Sequence, residues 1–138
     1  MAARPEAAVQ QEEDPGKRRA RILVLDDDPH VRRALQLALK PHCDVVVATD
    51  GATALARLRS GERFDLILSD VEMPIMNGID FYKALRSGFP AESDRVVFMS
   101  GGLGSPDAAA FFCDAALELL DKPISCEELK ALLARRLP

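Results

Sequence analysis

The sequence predicts an α/β protein in which five parallel strands form one sheet with helices on both of its faces. Five short, almost continuous apolar runs alternate along the chain with longer stretches that carry apolar residues at helical spacing. The runs occupy residues 22–25, 43–48, 64–68, 95–99 and 116–120. Strands that are apolar on both sides are typical of a buried parallel sheet, and right-handed crossovers place the intervening helices on its two faces. The pattern therefore predicts a doubly wound (βα)5 fold.

The segments between the runs carry the spacing and the capping residues of amphipathic helices. Apolar side chains recur on one helical face in the first and the last of them: Val31, Leu35, Ala38 and Leu39, then Leu129, Leu132, Leu133 and Leu137. Helix starts are marked by Asp28 before Pro29, by Ser105 before Pro106, and by Ser125 with Glu128. The first two pairs match an N-cap followed by proline at the first helical position, and the third matches a capping box.

Length and composition indicate one domain preceded by a tail. A chain of 138 residues, 48% apolar and 29% charged, has the size and composition of a single globular unit. Residues 1–20 contain almost no large apolar side chain and cannot bury enough surface to offset the entropy of ordering. We therefore expect a flexible tail or linker over residues 1–20 and one folded domain over residues 21–138.

Charge and cysteine content limit the setting and the partners. The formal net charge of −4 argues against direct nucleic-acid binding, which usually requires a basic face. Neither a signal-peptide core nor an apolar stretch of membrane-spanning length is present in the sequence. Three widely spaced cysteines without a C-x-x-C pair favour a reducing compartment. We expect a cytoplasmic protein that contacts neither nucleic acid nor membrane.

Polar residues follow four of the five predicted strands. They are Asp26 and Asp27 after the first, Asp70 after the third, Ser100 after the fourth and Lys122 after the fifth. In an open parallel sheet ligands bind at this carboxyl edge, so we expect these side chains to converge there. Clustered carboxylates raise each other's pKa unless a cation is present, and oxygen ligands of this kind favour Mg²⁺. An ionised aspartate can also attack phosphorus to form an aspartyl-phosphate. Together these residues predict phosphoryl chemistry at the sheet edge.

In order and spacing, four motifs resemble those of the receiver domain of two-component response regulators. They are ILVLDDDPHVRRAL, FDLILSDVEMPIMNG, VVFMSGG and DKPIS. The resemblance implies a flavodoxin-like fold in which Asp70 is the phosphoacceptor. It implies that Asp26 and Asp27 bind Mg²⁺ together with Asp70 and the backbone carbonyl of Glu72. Ser100 then corresponds to the hydroxyl residue that follows the phosphoryl group, and Lys122 to the phosphate-pairing lysine.

One position departs from the family's pattern. Many receivers carry a tyrosine or phenylalanine three residues before the lysine, which turns inward with the Ser/Thr on phosphorylation, whereas this chain has Leu119. In lacking this aromatic residue, the chain resembles the receivers of hybrid histidine kinases. The resemblance further implies a histidine kinase or histidine phosphotransfer protein as phosphoryl donor, and a downstream protein target. It implies a signalling domain that acts only on its own phosphorylation state rather than an enzyme with a separate substrate.

Two other functions are compatible with parts of the pattern. A receiver-fold docking module would use the same fold without phosphorylation. A haloacid-dehalogenase-like phosphohydrolase would use Asp26 as nucleophile, since Asp26 and Asp28 form its D-x-D motif, but that function leaves Asp70 without a role. The aspartate that becomes phosphorylated distinguishes the three.

Overall fold

The computed structural model describes residues 19–103, 106–115 and 117–137, and within them it forms one five-stranded parallel sheet. The strands are β1 (Arg21–Leu25), β2 (Asp44–Ala48), β3 (Leu66–Asp70), β4 (Val96–Ser100) and β5 (Leu119–Asp121). The helices are α1 (Pro29–Leu39), α2 (Gly51–Arg59), α3 (Gly78–Gly88), α4 (Pro90–Ser93), α5 (Pro106–Ala115) and α6 (Cys126–Arg136). The predicted fold class is confirmed.

The order of the strands in the sheet is β2-β1-β3-β4-β5. The chain winds outward from β1 in one direction to β2 and then in the other through β3, β4 and β5, so the order reverses between β1 and β3. This switch point is where ligands bind in open α/β sheets. The carboxyl ends of the two central strands, and hence the predicted acidic residues, flank it.

Two apolar layers cover the sheet. Side chains of α2, α3 and α5 pack against one face, and side chains of α1 and α6 pack against the other. Successive side chains of a strand point to opposite faces. In β4, for example, Phe98 belongs to the first layer whereas Val97 and Met99 belong to the second. The three central strands are therefore buried on both sides, as their near-continuous apolar sequence predicts, whereas the edge strands β2 and β5 are only partly buried.

The third strand lies further along the chain than its apolar run predicts. Phe64 and Asp65 precede the strand, and it ends at Asp70 rather than before it. Asp65 explains the shift, because its side chain accepts a hydrogen bond from the backbone N–H of Arg21 (2.8 Å) and its own N–H donates to the Arg21 carbonyl (2.8 Å). The polar residue therefore opens the pairing with β1, and Asp70 becomes the last strand residue.

Other element boundaries also differ from the predicted ones. The fifth strand covers only three residues, Leu119–Asp121, at the edge of the sheet. The short helix α4 was not predicted from the sequence. Asp28 caps α1 by accepting from the N–H of His30, and Ser125 forms the expected capping box with Glu128. The predicted cap at Ser105 and residues 1–18 of the predicted tail, which covers residues 1–20, fall outside the described residues. Among the described residues, no helix has the length and apolar character needed to cross a membrane.

Candidate functional site

The predicted site residues meet at the carboxyl edge of the sheet. Asp26 directly follows β1, Asp70 ends β3, Ser100 ends β4, and Lys122 directly follows β5. Strand pairing aligns these ends, since Asp70 is the register partner of Met99 in β4 and Ser100 that of Asp121 in β5. Asp26, Asp70 and Ser100 are all buried, with 0%, 6% and 3% of their surfaces exposed. The sheet thus holds two carboxylates and a hydroxyl in an enclosed position.

Lys122 bridges the two buried carboxylates. Its Nζ lies 2.6 Å from Oδ2 of Asp26 and 3.2 Å from Oδ2 of Asp70. The backbone N–H of Lys122 donates to the carbonyl of Ser100 (2.8 Å), which anchors the lysine to β4. The peptide bond from Lys122 to Pro123 is cis. One ammonium therefore partly neutralises two carboxylates that the fold brings together.

Asp26 is fixed through its side chain and its backbone. Its Oδ1 accepts from the N–H of Asp28 (2.9 Å), and its own N–H donates to the carbonyl of Ala48 (3.2 Å). The guanidinium of Arg32 donates to its carbonyl oxygen (2.9 Å). Sequence reasoning missed Arg32, whose position one turn into α1 is the only signal that could have suggested it. These contacts hold the loop after β1 in one geometry.

The ionisation of Asp70 reflects its surroundings. Burial raises the pKa of Asp70 above its ordinary value, and the negative charge of Asp26 raises it further, whereas Lys122 and a hydrogen bond from the backbone N–H of Glu72 lower it without cancelling the rise. The pKa of Lys122 is raised, because the hydrogen bonds and charges of Asp26 and Asp70 together outweigh the lowering caused by burial. The lysine therefore stays protonated. Its single positive charge does not balance the negative charges of two carboxylates.

The acidic residues fit a divalent cation. Carboxylate oxygens of Asp26, Asp27 and Asp70 lie within 4.8 Å of one another. Asp27 is exposed, so the cluster opens to solvent on one side, and its donors are hard oxygens of the type that Mg²⁺ prefers. A cation here would also supply the charge that Lys122 alone does not. The residues present thus suit Mg²⁺.

The loop from β3 to α3 is shaped by Asn77 and Gly78. Asn77 caps α3 through its side chain, which accepts from the N–H of Asp80, and the N–H of Gly78 donates to the carbonyl of Val71 (2.9 Å). A Cβ atom on Gly78 would lie 2.4 Å from the carbonyl oxygen of Asp70, so only glycine fits. The Asn-Gly pair therefore lets the start of α3 approach the backbone of Asp70 closely.

Ser100 is tied to the loop that follows it. Its Oγ accepts a hydrogen bond from the N–H of Gly102 (2.9 Å), and Gly102 has a φ of +140°, a conformation that L side chains rarely adopt. The hydroxyl keeps its own proton free to donate to another acceptor. Gly102 thus holds the hydroxyl at the rim of the site while leaving its donor capacity available.

Comparison with known proteins identifies the family. The family model of the response regulator receiver domain matches residues 22–134. The chain belongs to this family. The DNA-binding response regulator MtrA of Mycolicibacterium smegmatis is 36% identical over 86% of this chain and 51% of its own length. Protein PilG of Pseudomonas aeruginosa is 29% identical over 86% of this chain and 87% of its own length. The chain spans about half the length of the MtrA relatives it matches.

Solved structures agree with the assignment. The chemotaxis protein CheY4 of Vibrio cholerae matches with a TM-score of 0.71 and 30% identity, over 86% of this chain and 98% of that one. A receiver domain protein from Clostridium thermocellum, 22% identical with a TM-score of 0.73, shares the fold. The chain is therefore a phosphoacceptor receiver domain of two-component signalling, a signalling domain of a family that interacts with histidine kinases or phosphotransfer proteins.

Two further sequence-predicted residues of the receiver are Leu119 and Glu72. Leu119, at the switch position, lies on β5 as the register partner of Phe98 and packs half-buried in the layer that includes α3 and α5. The Mg²⁺ role of the Glu72 carbonyl stays a prediction, since the structure shows only that the Glu72 side chain is exposed.

Proposed function

We propose that Asp70 accepts a phosphoryl group from a phosphohistidine of a histidine kinase or histidine phosphotransfer protein. A carboxylate oxygen of Asp70 attacks phosphorus, the bond from phosphorus to imidazole nitrogen breaks, and the imidazole leaves. The observation that carries this proposal is the bridging of Asp70 and Asp26 by Lys122 at an edge that opens to solvent beside Asp27. Of the two buried carboxylates, Asp26 is bonded on both of its oxygens, to Lys122 and to the N–H of Asp28, and Asp70 is the better placed nucleophile.

The surrounding residues stabilise the charge that develops during transfer. The charge spreads over three equatorial oxygens, and catalysis consists mostly of positioning and neutralisation. Lys122 pairs with one phosphoryl oxygen, and the Ser100 hydroxyl donates to another. Asp26, Asp27, Asp70 and the carbonyl of Glu72 would hold Mg²⁺, which supplies the remaining neutralisation when bound. The same groups assist the later hydrolysis, so the domain acts only on its own phosphorylation state.

The phosphorylated domain switches contacts with a downstream protein. An added phosphoryl group brings charge and new hydrogen-bond acceptors to the sheet edge, which draws Ser100 toward it and biases the neighbouring loops between two arrangements. We assign this function to residues 21–138 and place the protein in the cytoplasm, acting through protein contacts rather than nucleic acid. Membership of a hybrid histidine kinase fits Leu119 at the switch position.

Acetyl phosphate and Mg²⁺ test the proposal without a cognate kinase. Intact-mass measurement should show one added phosphoryl group on the wild type and none on Asp70→Asn. Asp28→Asn, which keeps a capping side chain at α1, is the matched control and should gain the phosphoryl mass. An unlabelled wild type would support the docking module, and a labelled Asp70→Asn would contradict the assignment of the acceptor.

A further inference from the structure

Four aromatic rings connect the strand that carries Ser100 to two helices. Tyr82 of α3, Phe98 of β4, and Phe111 and Phe112 of α5 form this ring cluster. Centroids are 6.0 Å apart for Tyr82 and Phe98, 6.0 Å for Tyr82 and Phe111, 4.9 Å for Phe98 and Phe112, and 5.4 Å for Phe111 and Phe112. All four pairs pack edge to face, with interplanar angles of 69° to 87°. Each ring contacts two others, so the cluster is closed.

The inner ring of the cluster, Phe98, lies beside Gly78, which approaches the backbone of Asp70 closely. Phe98 is fully buried, and a Cβ placed on Gly78 would lie 3.2 Å from its Cε1 and 2.4 Å from the Asp70 carbonyl oxygen. Phe98 also stands two residues before Ser100 in β4, so both side chains point to the same face of the sheet. Phe98 therefore touches the start of α3 close to the end of β3 and shares its strand with the hydroxyl.

Leu119 leaves the β5 side of Phe98 without a ring. The two residues are register partners, and Leu119 packs in the same apolar layer as the ring cluster. An edge-to-face contact needs an aromatic partner. Phe98 makes its ring contacts with Tyr82 and Phe112, so the aromatic packing runs from β4 to α3 and α5 and not to β5.

The outer part of the ring cluster reaches the surface between α3 and α5. Tyr82 and Phe111 are half-buried, and the ammonium of Lys83 lies 5.7 Å from the centroid of Phe111. Phe111 lines a groove of about 660 Å³ between the two helices, whose other walls include Glu72 and Gly102. A shift of the rings would therefore change the shape of a surface that borders the phosphorylation site.

We propose that this ring cluster carries the phosphoryl signal from Asp70 to the face formed by α3 and α5, in place of a β5 aromatic. The inference rests on the proposed function of Asp70. Ser100 Oγ accepts from the N–H of Gly102 and can at the same time donate to a phosphoryl oxygen. When the hydroxyl moves toward that oxygen, Phe98, which lies two residues before Ser100 in β4, shifts against the rings it contacts. Because two of the four rings belong to α5, the helix repacks against Phe98 and Tyr82.

The chain contains its own reporter of this change. Tyr82 is the single tyrosine, and the sequence has no tryptophan, so intrinsic tyrosine emission comes from the ring cluster alone. The wild-type chain is treated with acetyl phosphate and Mg²⁺, and phosphoryl mass, tyrosine emission and amide hydrogen exchange are followed together. We expect emission to change in proportion to the phosphorylated fraction, and exchange in α3 and α5 to change by about twofold or more.

Substitutions at two adjacent residues separate transmission from chemistry. Tyr82→Leu should gain phosphoryl mass as the wild type does but lose most of the exchange change in α5, whereas Tyr82→Phe, which keeps the ring, should retain it. Phe81→Leu is the matched control, because Phe81 is a buried aromatic of the same helix outside the ring cluster. It should respond as the wild type does. Phe111→Leu removes a half-buried ring and repeats the test independently of Tyr82.

The outcomes distinguish the two proposals. A wild type that gains phosphoryl mass without any change in Tyr82 emission or α5 exchange would overturn the ring-cluster inference and leave the proposed function intact. A Tyr82→Leu chain that responds like the wild type would do the same. A wild type that gains no phosphoryl mass would overturn the proposed function and the inference with it.

Discussion

Lys122 lies closer to Asp26 than to Asp70, at 2.6 Å against 3.2 Å. One ammonium is therefore shared between two buried carboxylates, and its shorter contact is with Asp26 rather than with Asp70, the proposed acceptor. Binding of a cation beside Asp26 would free Lys122 to pair with a phosphoryl oxygen on Asp70.

Lys122→Met should slow phosphorylation while keeping the acidic cluster. Methionine retains much of the side-chain volume but removes the charge that stabilises the developing phosphoryl oxygens, so we expect a rate loss of roughly 10²-fold. The rate is measured by intact mass against time with acetyl phosphate. Lys130→Met, at an exposed position on α6, is the control and should react at the wild-type rate. A Lys122→Met rate within about twofold of the wild type would exclude this electrostatic role.

Asp27→Asn should weaken Mg²⁺ binding without harming the fold. Asp27 is the exposed member of the acidic cluster, so its loss removes a ligand oxygen and leaves the buried contacts unchanged. We expect the Mg²⁺ dissociation constant from calorimetry to rise by about 10–100-fold. Asp121→Asn changes an exposed carboxylate at the same sheet edge but outside the cluster, and should bind Mg²⁺ normally. Equal Mg²⁺ affinity in the two variants would argue against the proposed ligand set.

Asp70→Asn should stabilise the metal-free protein at neutral pH. The pKa of Asp70 is raised in the folded state, so between its ordinary and its raised value the folded state binds more protons than the unfolded state. Stability contributed by the protonated form is therefore lost as pH rises through the raised pKa. Urea unfolding in EDTA should show the variant to be more stable at pH ~7, with the difference vanishing below the ordinary aspartate pKa of ~3.9. A less stable variant at neutral pH would contradict this direction.

Gly78→Ala should destabilise the fold, whereas Gly88→Ala should not. A Cβ at position 78 would overlap the Asp70 carbonyl oxygen, and we expect a loss of about 1–3 kcal/mol in unfolding free energy. A Cβ at position 88 meets nothing within 4 Å, so alanine there should raise stability by up to about 1 kcal/mol through helix propensity. Chemical denaturation of the two variants gives both values. Equal effects of the two substitutions would rule out the close approach of α3 to Asp70.

The residues that the sequence placed correctly are those fixed by strand order alone. Because parallel strands end at one edge, Asp26, Asp70, Ser100 and Lys122 could be expected to meet there before any contact was known. The bonds that hold them could not be expected in the same way. Arg32 bonds to a backbone carbonyl, which leaves no pairing pattern in the sequence.

The remaining contacts could not be predicted because they depend on how each helix is oriented on the sheet. The contacts of Tyr82 with Phe98 and Phe111 depend on how α3 and α5 rotate on the sheet, and periodicity shows only that each helix has an apolar side. Gly78 could be predicted as part of a turn, but its need for close approach depends on where the start of α3 meets the Asp70 backbone. The sequence therefore predicts which residues form the site, but it does not predict how the surrounding helices pack against them.

The most direct measurement of the central claim is the position of the acyl phosphate. The wild-type chain is phosphorylated with acetyl phosphate and Mg²⁺ and trapped with borohydride, which reduces an acyl phosphate to the alcohol and so converts a phosphorylated aspartate to homoserine. Peptide mass mapping then locates the homoserine. We expect it at position 70, with none formed in EDTA. Homoserine at position 26, or an unchanged Asp70 in a phosphorylated chain, would contradict the account.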